Sequence, residues 1–171
     1  MIHPILTYPN PELKKKSATV SSITEATLEI IRDMTETMYN APGVGLAAPQ
    51  IGIHQRIIII DISARDEQPN LIVAINPVIV HAEGDTFEEE GCLSVPKYAA
   101  NVHRYATVVV TGLDKEGREQ TWQSDGLLAI AFQHEIDHLN GILFVDHLSP
   151  LKRDLFKRKQ RRIAEKPEET L

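Results

Sequence analysis

Two histidines and a glutamate occur within five residues, in the segment His134-Glu135-Ile136-Asp137-His138. If this segment is helical, residues four apart project from the same face, so both imidazoles can reach one ion without distorting the backbone. Glu135 then lies beside that ion, close enough to take a proton from a water molecule. Two ligands, an activated water and a base are what metal-assisted hydrolysis requires. The spacing therefore predicts a metal-dependent hydrolase with Glu135 as its catalytic base.

A catalytic site of this kind needs a third protein ligand and an open position for water. Downstream of the two histidines, the candidates are His147 and the carboxylate of Asp146. Upstream, the candidate is Cys92, because a thiolate suits a borderline or soft divalent ion. Gly91 precedes it and lets the backbone approach closely. The residue types alone leave these three candidates open.

The helix that carries the two histidines is predicted over Gly126–Leu139, with Ser124 or Asp125 as its cap and Asn140-Gly141 as its stop signal. Its apolar residues lie on nearly all sides, which predicts a buried helix. They are Leu127, Leu128, Ile130, Ala131, Phe132, Ile136 and Leu139. Unpaired ionisable side chains on such a helix would cost several kcal/mol each, and an ion would satisfy the imidazoles.

Two further helices are predicted on either side of this central one. The first spans residues 22–39, where Ser22 and Glu25 match a capping box. Its buried stripe is predicted to consist of Ile30, Met34 and Met38. The last helix begins near Pro150 and runs to about residue 166, which leaves residues 167–171 as a tail.

Short β-branched and apolar runs predict strands between the first two helices. They cover residues 57–60, 71–75, 78–80, 107–113 and 119–122. A hairpin turn is predicted at residues 114–117. Strands grouped between helices, without strict alternation, indicate an α+β fold. We expect one catalytic domain over residues 1–171, with mixed or antiparallel strands packed around a central buried HExxH helix.

The charge of the chain is unevenly distributed. Its net charge is −6, yet residues 152–162 carry seven Lys or Arg and one Asp, a net of +6, which leaves −12 elsewhere. The single cysteine, Cys92, excludes a disulfide within the chain. The first residues have no long apolar run, and no stretch approaches the roughly 20 apolar residues that span a bilayer. We therefore expect a cytoplasmic protein with no membrane anchor.

Three segments together resemble one family, the peptide deformylases. They are Gly43-Val44-Gly45-Leu46-Ala47-Ala48-Pro49-Gln50, Glu90-Gly91-Cys92-Leu93-Ser94 and Gln133-His134-Glu135-Ile136-Asp137-His138. Each motif alone is moderately specific, whereas the three in this order are highly specific. The similarity runs from Ile5 to about Leu155.

This resemblance implies a complete active site. Cys92, His134 and His138 would ligate the ion, and Glu135 would act as general base and acid. The side chain of Gln50 and the backbone amide of Leu93 would stabilise the oxyanion. The reaction would remove the formyl group from the initiating N-formylmethionine of new polypeptides. The ion would usually be Fe(II), although Zn, Ni or Co can occupy such a site.

The resemblance also implies a substrate site. Backbone groups near Gly45 would hold the peptide as an added strand, and an apolar pocket would take the methionine side chain. That pocket would be formed by Val44, Leu127, Ile130, Ala131 and the aliphatic part of His134. Glu90 is either a solvated carboxylate of an acidic run or a functional residue, and the motif favours function. Glu88 falls where many relatives have an apolar residue flanking that pocket, and Ala99 falls where some bacterial relatives have an arginine that helps to hold the peptide backbone.

Three interpretations of the chain remain distinct. The first is a deformylase acting on N-formylmethionyl peptides, which we expect to be a monomer. The second is another HExxH metallopeptidase, and the third is a metal-binding or redox-sensing module without activity. The basic run at residues 152–162 lies on the last predicted helix. Its charges either keep the protein soluble or, as the resemblance implies, bind ribosomal RNA. Its cations are Lys152, Arg153, Lys157, Arg158, Lys159, Arg161 and Arg162.

Overall fold

The computed structural model describes residues 1–165, and its architecture confirms the α+β prediction. The helices are α1 (Glu25–Asn40), α2 (Gly126–Leu139) and α3 (Pro150–Glu165). The strands are β1 (Gly45–Ala47), β2 (Ile57–Ile60), β3 (Ile72–Glu83), β4 (Thr86–Cys92), β5 (Val95–Arg104), β6 (Thr107–Leu113) and β7 (Glu119–Asp125). The predicted tail over residues 167–171 lies outside the described residues.

Five strands form one antiparallel sheet in the order β1-β2-β3-β6-β7, and β4 pairs with β5 in a separate hairpin. The four isoleucines of β2 are all fully buried because both faces of this strand are covered. Ile58 and Ile60 pack in the same cluster as Phe132 of α2. Ile57 and Ile59 pack with Met34 of α1. The sheet therefore holds α2 against one face and α1 against the other.

Helix α2 has the predicted bounds. Asp125 occupies the N-cap position, although its side chain makes no capping hydrogen bond. At the other end, Gly141 has a φ of +74°, and a Cβ there would collide with the carbonyl oxygen of Lys14. Most of the helix is buried, but Leu127 in its first turn is 54% exposed. The expectation of burial on all sides is therefore wrong at this end, where the helix borders a cavity.

The start of α1 differs from the prediction. The capping box is formed by Thr24 and Thr27, not by Ser22 and Glu25. Thr24 has an extended backbone, and its hydroxyl accepts a hydrogen bond from the amide of Thr27. The buried stripe of α1 contains Ile31 together with Met34 and Met38, whereas Ile30, which was predicted to be part of it, is only partly buried.

Strand pairing is more extensive than the apolar runs indicate. The predicted strands at 71–75 and 78–80 form one strand, β3, which begins at Ile72 and whose pairing with β6 shifts register between Ile75 and Val78. Asn76 lies in this interruption with a φ of +53°. Strands β1, β4 and β5 were not expected from their sequences. The predicted turn at residues 114–117 is confirmed, because the amide of Gly117 donates to the carbonyl of Asp114.

A third cluster attaches α3 to the hairpin of β4 and β5. Phe156 is the one buried residue of α3 among those described. Its ring lies 4.7 Å from the ring of Tyr98 in β5 and 5.0 Å from that of Tyr8. Within residues 1–165, none of the helices combines the length and apolar character that crossing a membrane requires.

Candidate functional site

Two elements bring three ligand-type side chains together. His134 and His138 project from one face of α2, with ring centroids 5.0 Å apart. Cys92 is the last residue of β4, at the hairpin that crosses this face. One potential ligand atom from each of these three residues lies within 4.8 Å of the others.

The three residues fit a single divalent ion. Ligands at about 2.0–2.3 Å from a tetrahedral centre are about 3.5 Å from one another. The Sγ of Cys92 lies 3.3 Å from the Nε2 of His138, which matches that spacing. Burial lowers the pKa of His138 well below its ordinary value, so its imidazole is neutral and can offer a lone pair. One thiolate and two imidazoles suit a transition metal, with a fourth position left for water.

The second nitrogen of His134 is held by Glu90. Its Nδ1 lies 3.0 Å from the Oε1 of Glu90, and because a carboxylate can only accept, Nδ1 carries the proton. Burial lowers the pKa of His134, but contacts with Cys92, Glu90 and Glu135 outweigh it and raise the pKa well above its ordinary value. An ion would displace the proton of Nε2 and take its lone pair. Burial would raise the pKa of Glu90, but hydrogen bonds from Arg104 and His134 outweigh it and hold the pKa below its ordinary value.

A buried arginine fixes Glu90 in turn. Arg104 donates to both oxygens of Glu90, at 2.8 and 2.9 Å, and to Asp137 at 2.6 Å. Asp137 also contacts His147, whose Nε2 lies 2.8 Å from its Oδ2. The other downstream candidate, Asp146, accepts a hydrogen bond from the amide of Leu143. Neither downstream residue is therefore directed at the three-residue cluster, and Cys92 is the candidate that joins the histidines.

Glu135 is buried beside the cluster. Its Oε1 lies 3.8 Å from the Nε2 of His134, and its Oε2 has no hydrogen-bond partner among the described residues. Burial raises the pKa of Glu135 to about 7. Gly45 allows this placement, because a Cβ at that position would lie 2.9 Å from the Oε1 of Glu135. A carboxylate with such a pKa can both accept and return a proton near neutral pH.

Gln50 faces the cluster from the segment after β1. Its Oε1 accepts from the amide of Ala47, so its Nε2 points to the Oγ of Ser94 at 3.0 Å and the Sγ of Cys92 at 3.7 Å. The amide of Ser94 also lies 3.4 Å from the Sγ of Cys92. Leu93 occupies the turn between Cys92 and Ser94. A side-chain amide and a backbone amide thus both lie against the sulfur of Cys92.

A cavity of about 1080 Å³ opens above this cluster. The predicted pocket residues line it together with the predicted base and oxyanion groups: Val44, Gly45, Gln50, Glu90, Leu93, Leu127, Ile130, Ala131 and Glu135. Cys92 and His134 lie at the same cavity, as do Glu88 and Ala99. The structure therefore brings these residues to one cavity, whereas the alternative ligand candidates Asp146 and His147 make their contacts elsewhere.

Two contributions were missed in the sequence. Ser94 is fully buried and holds both Gln50 and Cys92, and its only signal was its place two residues after the cysteine. The close approach of Gly45 to Glu135 had no local signal, because 90 residues separate them in the chain.

Comparisons with known proteins agree with this geometry. A sequence model of the polypeptide deformylase family matches residues 2–154. The peptide deformylase of Syntrophobacter fumaroxidans (strain DSM 10017 / MPOB) is 55% identical over 155 residues, 91% of this chain and 91% of that relative. A crystal structure of a peptide deformylase from Legionella pneumophila has a TM-score of 0.88 and 46% identity, covering 98% of this chain and 100% of that one.

A further solved structure, peptide deformylase from Ehrlichia chaffeensis in complex with actinonin, has a TM-score of 0.88 and 36% identity over 99% of both chains. The agreement therefore extends over nearly the whole chain. This chain belongs to the polypeptide deformylase family, the metal-dependent hydrolases that remove the formyl group from N-terminal formylmethionine.

Proposed function

We propose that this deformylase binds its ion through Cys92, His134 and His138 and uses Glu135 as general base and acid. The observation that carries the proposal is the position of Glu135, whose buried Oε2 lacks a partner among the described residues beside the three-residue cluster. A buried carboxylate oxygen without a partner is costly. The attacking water would supply the missing hydrogen bond.

The chemistry follows from these groups. A divalent ion bound there acts as a Lewis acid, lowering the pKa of a water molecule and polarising the formyl oxygen. Glu135 takes a proton from the attacking water and then delivers it to the leaving nitrogen. The C–N bond breaks, and the products are formate and a free α-amine. The pKa of about 7 suits Glu135 to both transfers.

Gln50 and Leu93 are proposed to stabilise the oxyanion. The Nε2 of Gln50 points toward Cys92 because its Oε1 is fixed by the amide of Ala47. The backbone amide of Leu93 comes from the turn directly after Cys92. Donors fixed before the reaction contribute more than mobile ones, typically about 3–4 kcal/mol for each donor.

The substrate is proposed to enter between β1 and the hairpin. Val44, Leu127, Ile130 and Ala131 form an apolar wall sized for a methionine side chain. Backbone groups of Gly45 would hold the peptide as an added strand. Glu90 fixes the orientation of His134 through a hydrogen bond to its Nδ1. Since the related enzyme from Ehrlichia chaffeensis is in complex with actinonin, we expect actinonin to compete with peptide here.

Substrate assays separate this proposal from another HExxH metallopeptidase. Formyl-Met-Ala-Ser should release formate, whereas a blocked peptide cleavable only at internal bonds should remain intact. Removal of the ion with a chelator should abolish formate release, and addition of Fe(II), Ni(II) or Co(II) should restore it. Internal cleavage without formate release would contradict the proposal, and absence of any turnover would favour the module without activity.

The native ion is proposed to be Fe(II), with Zn, Ni or Co as substitutes. A thiolate with two imidazoles accepts all of these ions. An Fe(II)–thiolate site is sensitive to oxygen at both the iron and Cys92, so the Fe(II) form should lose activity in air faster than the Ni(II) form. Metal analysis of protein purified without oxygen gives the direct test. Equal stability of the two forms in air would contradict iron ligation through Cys92.

Helix α3 is proposed to contact ribosomal RNA. Six of its seven cations are exposed, and only Phe156 is buried among its described residues. Binding to phosphates should weaken steeply with salt, because each cation releases a counterion. Co-sedimentation with ribosomes should therefore fall between 50 and 300 mM salt, and further when Lys157, Arg158 and Arg161 are changed to Gln. Salt-independent co-sedimentation would contradict the proposal.

The chain is proposed to act as one domain, as a monomer and in the cytoplasm. Leu13 near the start and Phe156 in α3 share one buried cluster, which supports a single folding unit. The three candidate ligands and the base all come from one chain. A single cooperative unfolding transition and a mass of about 19.2 kDa in solution are expected.

A further inference from the structure

Glu88 lies on the same wall of the cavity as Glu90 but makes no comparable contact. In the hairpin, Glu88 pairs with Val102 and Glu90 with Ala100. Side chains two residues apart in a strand share a face and are about 7 Å apart. Glu90 contacts His134 at the inner end of the cavity, which we call its floor. Glu88 therefore lies about 7 Å away from the floor along the same wall.

The opposite wall shows how deep each residue lies. Leu127, Ile130 and His134 line the cavity from one face of α2. Leu127 is 54% exposed, whereas His134 is largely buried, so the helix runs from the mouth to the floor. Seven residues of helix span about 10 Å. Glu88, which is exposed, therefore belongs to the mouth, where the residues following a formylmethionine must pass.

The charge of Glu88 is not neutralised within residues 1–165. Its carboxylate has no hydrogen bond or ion pair there, in contrast to Glu90, which is bound by Arg104. Lys97 also lines the cavity, but it lies on β5 five residues from Val102, the partner of Glu88. The regularly paired stretch from Val102 to Ala99 alone extends about 10 Å, and Lys97 lies beyond it in an irregular part of β5, with a φ of +61°. Because exposed charges are screened beyond about 8 Å, Glu88 and its neighbour Glu89, which also lines the cavity, set a negative charge at this end of the mouth.

We propose that Glu88 is a specificity-determining residue that favours formylated peptides with Lys or Arg at the second or third position over those with Asp or Glu. The inference rests on the proposed function, because it requires the formyl group at the floor of this cavity. A cation near Glu88 gains attraction along an apolar wall, and an anion is repelled. The proposal concerns only which peptides are preferred, because removal of the formyl group at the inner end of the cavity is the same for all of them.

The test compares kcat/KM for formyl-Met-Lys-Ala, formyl-Met-Glu-Ala, formyl-Met-Ala-Lys and formyl-Met-Ala-Glu, with formyl-Met-Ala-Ala as the neutral reference. The wild-type chain should prefer Lys over Glu by about three- to tenfold in at least one pair. The preference should fall toward one in E88Q and in 0.5 M salt. E116Q makes the same change of net charge in a turn outside the cavity and should keep the wild-type ratio.

A wild-type ratio of one in both pairs, or a ratio that E88Q leaves unchanged, would overturn the proposal. An equal loss of preference in E116Q would do the same, since net charge alone would then explain it. Turnover of formyl-Met-Ala-Ala reports the proposed function separately, because this peptide carries no charge at either tested position. Failure of the preference is thereby distinguished from failure of the deformylase itself.

Discussion

Glu90 holds the Nδ1 of His134 at 3.0 Å and is itself bound at both oxygens by Arg104. These contacts link a residue of α2 to both strands of the hairpin. The position of one candidate ligand is therefore set by a buried ion pair and not by the helix alone. Residues that hold the second nitrogen of a histidine ligand fix its tautomer and its orientation.

Replacing Glu90 with Gln should weaken ion binding. The amide keeps the size of the side chain but loses the charge that orients His134 and satisfies Arg104. We expect a ten- to hundredfold lower affinity, measured by competition with a chromophoric chelator. E116Q, at an exposed turn, serves as the control of equal charge change. An E90Q variant with wild-type affinity would show that this hydrogen bond does not support the site.

Replacing Gly45 with Ala should reduce turnover while ion binding persists. A Cβ there would lie 2.9–3.1 Å from three atoms of the Glu135 side chain, which must then move. A displacement near 1 Å at a reacting group can cost about a hundredfold in rate. Gly91→Ala is the matched control, because its nearest contact would be 3.8 Å from the new Cβ. Equal kcat losses in the two variants would contradict the steric explanation.

The acid stability of the fold should depend on Asp61, at the end of β2. Burial would raise the pKa of Asp61, but hydrogen bonds from Ser63, Tyr39 and the amide of Asn70 outweigh it and lower the pKa. Its stabilising effect is therefore present above the unfolded pKa, near 3.9, and is lost as pH falls toward the folded value. The free energy of urea unfolding should depend less on pH in D61N than in wild type between about pH 5 and 2.

Asp66 offers the control for that measurement, because it is an exposed aspartate in the following loop. D66N should keep the wild-type dependence on pH. If D61N also kept it, the hydrogen bonds of Asp61 would not be the source of acid sensitivity.

The central helix could be predicted closely because its signals are local. A cap position, a helical HExxH spacing and an Asn-Gly stop all lie within residues 124–141, and the structure has the predicted bounds. Strand β2 was equally clear, since four consecutive isoleucines are typical of a strand covered on both faces. Local patterns thus predicted the elements that carry both histidines and the base.

The hairpin of β4 and β5 could not be predicted in this way. Strand β4 contains three successive glutamates, Glu88 to Glu90, which have no apolar alternation. Its pairing depends on β5, and Glu90 is tolerated inside only because Arg104, fourteen residues away, neutralises it. Such a contact is fixed by strand register and tertiary packing. The three motifs indicated that Cys92 belongs near the histidines, but the residues that hold it there required the structure.

The rate of formate release by a Glu135→Gln variant that carries one ion per chain tests the central claim most directly. The amide keeps the size of the side chain but cannot take the proton from water. With formyl-Met-Ala-Ser as substrate, kcat should fall by about a hundred- to ten-thousandfold while the ion content matches wild type. A fully loaded variant that released formate at the wild-type rate would contradict Glu135 as the base.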